Sequence, residues 1–151
     1  MDDARKGNVM ARVRMIVLFD LSKKFNYLVM GTENKTEHLL GYYTRFGDEA
    51  SDIEPLRELY KTQVFDLAKY LRVPQETINK APTAGLWEGQ TDEGEFGFSY
   101  KEADEILYLY ANKKLTKKEI IAKGYGKKVI ERLWWWVSKG EFKDRVPYSP
   151  I

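Results

Sequence analysis

Met10, Val13, Val17 and Leu21, joined by Ile16, recur at three- and four-residue spacing, while Arg12 and Arg14 fall off that stripe. The period is that of one side of a helix, so residues 8–24 are expected to be helical, with Asn26 ending the helix. Tyr27, Leu28, Val29 and Met30 then form a short β-prone run, read as a strand. Helix, strand and Gly31-Thr32 in that order make half of a βαβ unit without its first strand.

Further along, Val64, Leu67, Ala68 and Leu71 share a face, and Pro74 follows, which predicts a second helical region over 55–71. Residues 80–98 show no period and hold Pro82 and four glycines. They read as a loop of about 19 residues, a length that is usually functional or mobile. Ser99-Tyr100-Lys101-Glu102 pairs a hydroxyl with a glutamate three positions on, the pattern of a capping box. A helix over 100–112 follows, carrying Ala103, Ile106, Leu107 and Tyr110. Thr116-Lys117-Lys118-Glu119 repeats the box, with Leu115 and Ile120 placed to staple around it. Gly124-Tyr125-Gly126 breaks that helix, residues 127–138 form the last one, and 139–151 read as extended. Successive helical residues point about 100° apart, so Trp134, Trp135 and Trp136 cannot share a face. Either two pack inward with one partly exposed, or the group forms a subunit contact. One recognisable strand does not make a sheet. Further strands are hidden in weak segments, or the sheet is completed by something outside this sequence.

Composition narrows the class. With 43% apolar and 32% charged residues over 151 positions, the chain suits one globular domain with one core. A net charge of +2 provides no bulk field for nucleic acid or an acidic membrane. The absence of cysteine removes disulfides, thiolate metal sites and a cysteine nucleophile, and the single histidine, His38, removes a multi-histidine metal site. The first 15 residues contain no signal-peptide core, and no apolar run approaches about 18 residues. A cytoplasmic location is the expectation.

Candidate chemistry concentrates in residues 31–52, GTENKTEHLLGYYTRFGDEASD, directly after the strand. Ligands of open α/β sheets sit outside the carboxyl ends of strands, where Thr32 stands. Glu37 can hold a hard cation, since Mg²⁺ takes oxygen ligands and usually one or two carboxylates. Spacing alone favours plainer roles: Thr32 capping a helix that begins near Glu33, and Glu37 as a surface acid. Tyr42, Tyr43 and Phe46 beside Arg45 and Asp48 suit a flat heterocycle and its phosphates. They equally suit a buried aromatic helix end closed by Gly47. Lys61 can meet a phosphate or simply be solvated. Thr83 can reach a ligand or merely make a turn.

Three stretches taken together resemble the ammonia-dependent NAD synthetase family: GNVMARVRM at 7–15, GTENKTEHLLGYYTRFGDEASDIEPLRELYKTQV at 31–64, and KAPTAGLWEGQTDEGEFGFSYKEADEIL at 80–107. The likeness runs from about Lys6 to the tail and is closest to the shorter, archaeal-type members. It implies an α/β fold, the carboxyl-terminal part of a Rossmann-related, adenine-nucleotide α-hydrolase-like three-layer architecture, with residues 1–151 a single partial domain. It also implies a reaction. ATP and Mg²⁺ adenylate the nicotinate carboxylate of deamido-NAD, and ammonia then displaces AMP to give NAD. By resemblance, Thr32, Lys61 and Thr83 contact ATP, Glu37 binds Mg²⁺, and Arg12, Arg45, Asp52 and Lys143 contact deamido-NAD. Arg45 stands where a lysine is common. A homodimer is the implied assembly.

Two departures follow. The family's His-Lys-Arg run near the carboxyl end is replaced by Phe142-Lys143-Asp144-Arg145, so that contact with deamido-NAD is weakened. The family's Ser-Gly-Gly-x-Asp-Ser loop, whose backbone N–H groups cradle the ATP pyrophosphate, does not occur here. The chain is therefore expected to be inactive alone and to need a separate N-terminal fragment. A non-catalytic remnant or a ligand-binding or dimerisation module is the alternative. A helix-turn-helix nucleic-acid binder over 116–137, with Lys117, Lys118, Lys123, Lys127 and Lys128, is a weaker one.

Overall fold

The computed structural model describes residues 2–144. Helix α1 (Asp3–Phe25) begins earlier than its apolar period predicts, because Asp2 caps it by accepting the Arg5 N–H at 2.8 Å. It ends as expected at Asn26, in the left-handed region at φ 55°. Only Gly7 and Ala11 of α1 are buried. A Cβ on Gly7 would lie 2.8 Å from Leu86 Cδ1, so a small residue is what lets the helix meet the later loop. The apolar stripe points away from the body: Val13, Ile16 and Val17 are all more than half exposed.

The predicted strand reduces to one parallel bridge, Met30 with Ile53. Gly31 N–H donates to Ile53 O at 2.8 Å and Asp52 N–H to Val29 O at 2.9 Å. Val29 is buried there, but Tyr27, Leu28 and Met30 are exposed. A β-prone run extends into a ladder only where a partner strand lies alongside, and among the described residues Ile53 is its one bridge partner.

Helix α2 (Lys35–Leu40) is capped by Asn34, whose side chain accepts from Thr36 and Glu37 while Glu37 reaches back to the Asn34 N–H. Thr32 is thus not the cap. The helix closes on Gly41, at φ 64°, rather than on Gly47. A Cβ on Gly41 would sit 2.4 Å from Gly140 Cα, so two backbones touch there.

The region 55–71 splits. Turns bonded Arg57 N–H to Glu54 O and Leu59 N–H to Leu56 O come first, and α3 (Lys61–Tyr70) follows. Val64, Leu67 and Ala68 are half-buried as their period predicts, while Leu71 is exposed. After α4 (Gln75–Ile78), the expected loop is interrupted by α5 (Asp92–Phe96), capped by Thr91 and closed by Gly97 at φ 78°. The capping boxes mark α6 (Tyr100–Leu107), which passes into a π-helical turn (Tyr108–Asn112), and α7 (Lys117–Ala122). Helix α8 (Lys127–Gly140) outruns its predicted end and continues as a 3₁₀ turn (Glu141–Lys143), so the beginning of the supposed extended tail is helical. The remainder of that tail, 145–151, lies outside the described residues.

The core gathers Leu40 of α2, Phe96 of α5, Ile106 and Leu107 of α6, and Ile130 and Leu133 of α8, all fully buried. Trp134 packs edge-on against Tyr110 at 5.1 Å, and Trp136 against Phe96 at 5.3 Å. Trp135 turns outward, 46% exposed, between Arg132 at 4.7 Å and Lys139 at 4.5 Å. Two tryptophans therefore pack inward and one does not. Each inward edge-to-face pair adds about 0.5–1.5 kcal/mol beyond its buried area.

Candidate functional site

Two cavities open at the carboxyl end of the bridged segment, of about 480 and 570 Å³. They share four wall residues, Thr32, Tyr42, Asp48 and Ala84. The long loop lines both: Pro82 and Thr83 face the first, Leu86, Trp87 and Gln90 the second.

The first cavity brings together Thr32, Glu37, Lys61 and Thr83. Thr32 is exposed, its hydroxyl not spent on a helix cap. Glu37 is held by its place in the Asn34 capping box, and its Oε1 accepts from Lys61 Nζ at 2.7 Å. Lys61 also lies 5.1 Å over the Tyr100 ring. Glu37 is therefore a paired, half-buried carboxylate, not an ordinary surface acid. Thr83 makes a turn as well, its Oγ1 accepting the Gly85 N–H at 3.1 Å. The far wall is apolar, from Val64, Phe65 and Ala68 of α3 to Val73 and Ile78. Charged and hydroxyl groups facing an apolar wall suit a ligand with a flat apolar body and an anionic end.

A divalent metal finds only a partial site. Among the described residues no three acidic, histidine or cysteine side chains gather to hold one. Glu37 offers a single carboxylate, already occupied by Lys61. It fits as one ligand of a cation whose other oxygens come from phosphates and water, as Mg²⁺ sites commonly do.

The wall of the first cavity also holds a group that spacing does not reveal. Glu33 is buried; its Oε2 accepts from Arg57 Nη1 at 2.9 Å, and its Oε1 has no hydrogen-bond partner. Burial pushes its pKa up to about 8, against the pull of Arg57 and with help from Glu54, Glu37 and Asp48. Arg57 also donates to Glu54 at 2.6 Å and lies 2.7 Å from His38 Nδ1. The guanidinium has only N–H groups to offer, so that ring nitrogen accepts. Burial and then Arg57 hold the His38 pKa below its ordinary value. On the other side, Tyr42 OH shares its single proton between Asp92 and Glu95, each at 3.2 Å, and Tyr100 OH donates to Asp92 at 2.7 Å. Apart from Arg57–Glu54 and Tyr100–Asp92, these contacts join residues 19 to 53 positions apart, so no local spacing announces them.

Of the residues expected on the second nucleotide, Lys143 alone lines the second cavity. Its Nζ donates to Gly41 O at 2.6 Å and to Tyr43 O, and burial lowers its pKa. Arg12 lies outside that wall, where Arg14 appears instead. Arg12 donates from Nε and Nη2 to Arg45 O, both at 3.2 Å. The Arg45 guanidinium rests between the rings of Phe46 at 5.2 Å and Phe142 at 5.3 Å. Asp52 accepts the Val29 N–H at 2.8 Å and so supports the bridge. Arg12, Arg45 and Asp52 thus form the frame around the second cavity rather than its surface. Asp144 accepts from Tyr43 OH at 2.8 Å, which gives the residue that interrupts the basic run a structural task. Arg145 lies outside the described residues.

Comparison with known proteins gives one consistent picture. A profile of the NAD synthase family matches residues 1–147. The NH(3)-dependent NAD(+) synthetase of Fusobacterium nucleatum is 49% identical over 143 residues, covering 95% of this chain and 55% of that protein. Its counterpart in Wolinella succinogenes is 50% identical, covering 95% and 56%. Among solved structures, the NMN synthetase of Francisella tularensis superposes with a TM-score of 0.85 at 41% identity, covering 99% of this chain and 58% of that one. The NH3-dependent NAD synthetase of Campylobacter jejuni gives 0.74 at 34% identity, covering 96% and 55%. The chain spans about half the length of the relatives it matches. With nearly every residue inside the family profile, and a fold shared with two synthetase structures, the chain belongs to the NAD synthase family.

Proposed function

We propose that this chain supplies part of a nicotinate-amidating site, with contacts to both nucleotides, as a single partial domain over 1–151 with the three-layer α/β fold of nucleotide α-hydrolases. The substrates are ATP, deamido-NAD and ammonia. The carrying observation is that Thr32 and Glu37, Lys61, and Thr83, from three separate stretches of the chain, line one cavity that shares a wall with another.

In this reading the first cavity takes ATP. Val64, Phe65 and Ala68 cover the flat purine, Thr32 and Thr83 hydrogen-bond the nucleotide, and Lys61 turns from Glu37 to a phosphate. Mg²⁺, when bound through Glu37, neutralises phosphate charge. The nicotinate carboxylate attacks the α-phosphorus and pyrophosphate leaves. Ammonia nitrogen then attacks the acyl carbon, AMP leaves, and the nitrogen sheds a proton. Positioning and fixed charge account for most of such catalysis. Lys143 and the frame of Arg12, Arg45 and Asp52 hold the second nucleotide. The enzyme is a cytoplasmic homodimer that works with the part of the relatives this chain does not match.

Supplied with that part as a second fragment, the chain forms NAD from deamido-NAD, ATP and ammonium, measured by product chromatography. Glu37→Ala lowers turnover at least about 100-fold, the scale expected when a fixed transition-state charge is removed. Full activity of Glu37→Ala removes the role given to that carboxylate. No product from any combination favours a non-catalytic module instead.

A second reading concerns the acceptor. The Francisella structure is named for NMN synthesis and is the more similar of the two compared. Nicotinate mononucleotide is therefore the competing acceptor, and the ratio of kcat/KM for the two acceptors decides between them.

A further inference from the structure

Helix α3 begins at Lys61, and the first N–H groups of any helix lack partners within it. Here Tyr60 makes no side-chain cap; its hydroxyl donates instead to Asn112 at 2.6 Å, and its own N–H donates to Gln63 Oε1 at 2.9 Å. The partners of the next two N–H groups come from two other helices. Lys61 N–H donates to Thr36 Oγ1 of α2 at 2.9 Å, and Thr62 N–H donates to Asp104 Oδ2 of α6 at 2.7 Å. Thr36 Oγ1 donates its own proton to Asp104 Oδ1 at 2.5 Å. A hydroxyl has one proton. With that proton committed to Asp104, the lone pairs of Thr36 are oriented to receive Lys61. A carboxylate at a helix N-terminus is also electrostatically favoured. Thr36 is fully buried and Asp104 is 5% exposed, and neither lines the cavities.

We propose that Asp104, acting through Thr36, is a positioning residue that fixes where Lys61 enters the first cavity. The inference rests on the reading of Lys61 as a phosphate ligand. Lys61 is tied to α2 twice, at its N–H by Thr36 and at its Nζ by the adjacent Glu37. When a phosphate draws the Nζ away, the Thr36–Asp104 relay still holds the backbone of Lys61 itself, beside the Lys35 N–H bond to Leu59 O just before α3. The ammonium then moves by side-chain rotation from a fixed start. An ordinary local cap would order α3 without referring it to α2. The relay locks α2, α3 and α6 into one unit at the point where the cavity needs its cation.

The test compares two probes by NMR titration on the 151-residue chain supplied with the part of the relatives it does not match. ATP has the phosphates that Lys61 would meet, and adenosine has none. Thr36→Val and Asp104→Asn are expected to weaken ATP binding about tenfold, the loss of roughly one charged hydrogen bond, with adenosine binding unchanged. Thr36→Ser, which keeps the hydroxyl, restores ATP binding. Amide exchange at Lys61 quickens in Thr36→Val. Equal weakening of ATP and adenosine makes the relay merely structural and overturns the inference. So does unchanged ATP binding in Thr36→Val, provided Lys61→Ala weakens ATP. If Lys61→Ala has no effect, or the wild-type chain with that second fragment binds no ATP, the phosphate role of Lys61 falls and the inference with it. Should Asp104→Asn fail to fold, the Thr36→Val and Thr36→Ser pair decides alone.

Discussion

Glu33 shows how a single buried acid sets a pH dependence. Its folded pKa, about 8, lies above the ordinary 4.5. The native chain keeps a proton that the unfolded chain releases, so stability falls as pH rises from about 4.5 to about 8 and levels off above that. Glu33→Gln, a neutral group of the same shape, should flatten this slope. Denaturant unfolding at pH 6 and pH 8.5 measures it: the wild type loses on the order of a few kcal/mol between them, the variant much less. An equal loss in both would move the responsible group elsewhere. Nothing in the order GTENKTE marks Glu33 as buried. Its environment is built by Arg57, His38 and Glu54, which reach it only in the folded chain.

At the level of elements, short-range bonds made two helix starts legible, though not that of α2, where Asn34 rather than Thr32 is the cap. The boxes Ser99–Glu102 and Thr116–Glu119 mark the starts of α6 and α7 because both partners lie within four residues. Thr116→Ala should therefore cost about 1 kcal/mol, read from equilibrium unfolding. The start of α3 was illegible for the opposite reason: its partners are 25 and 42 residues away. Likewise α5 is too short for a period and is held by Phe96 in the core. At the meeting of α2 and α8, Gly41→Ala forces a Cβ onto Gly140 at a left-handed backbone angle. The loss should exceed about 1 kcal/mol, and Lys143, bonded to Gly41 O, should move with it. A Gly41→Ala chain with unchanged midpoint would mean that α8 yields easily.

Across the whole molecule, periodicity identified the α1 stripe but not what lies against it. Val13, Ile16 and Val17 are apolar on a helix whose buried side is Gly7 and Ala11. Contiguous exposed apolar surface of this kind marks an interaction site. Sedimentation of the chain at rising concentration should show association, and Ile16→Lys with Val17→Asp should reduce it while leaving the thermal midpoint nearly unchanged. A monomer at all concentrations would remove the homodimer reading for the chain by itself. Among the described residues the pairing of Met30 with Ile53 is an isolated bridge, the one contact that answers to the predicted strand.

The tryptophans give the molecule an internal optical record of these events. Of the four, Trp87 and Trp136 line the second cavity, Trp134 packs on Tyr110, and Trp135 faces outward between two cations. A ligand entering the second cavity meets Trp87 and Trp136 directly and reaches Trp135 only through its contacts with Trp136 and Lys139. Unfolding changes the surroundings of all four. Occupancy and loss of structure therefore leave different emission signatures in the same unlabelled chain.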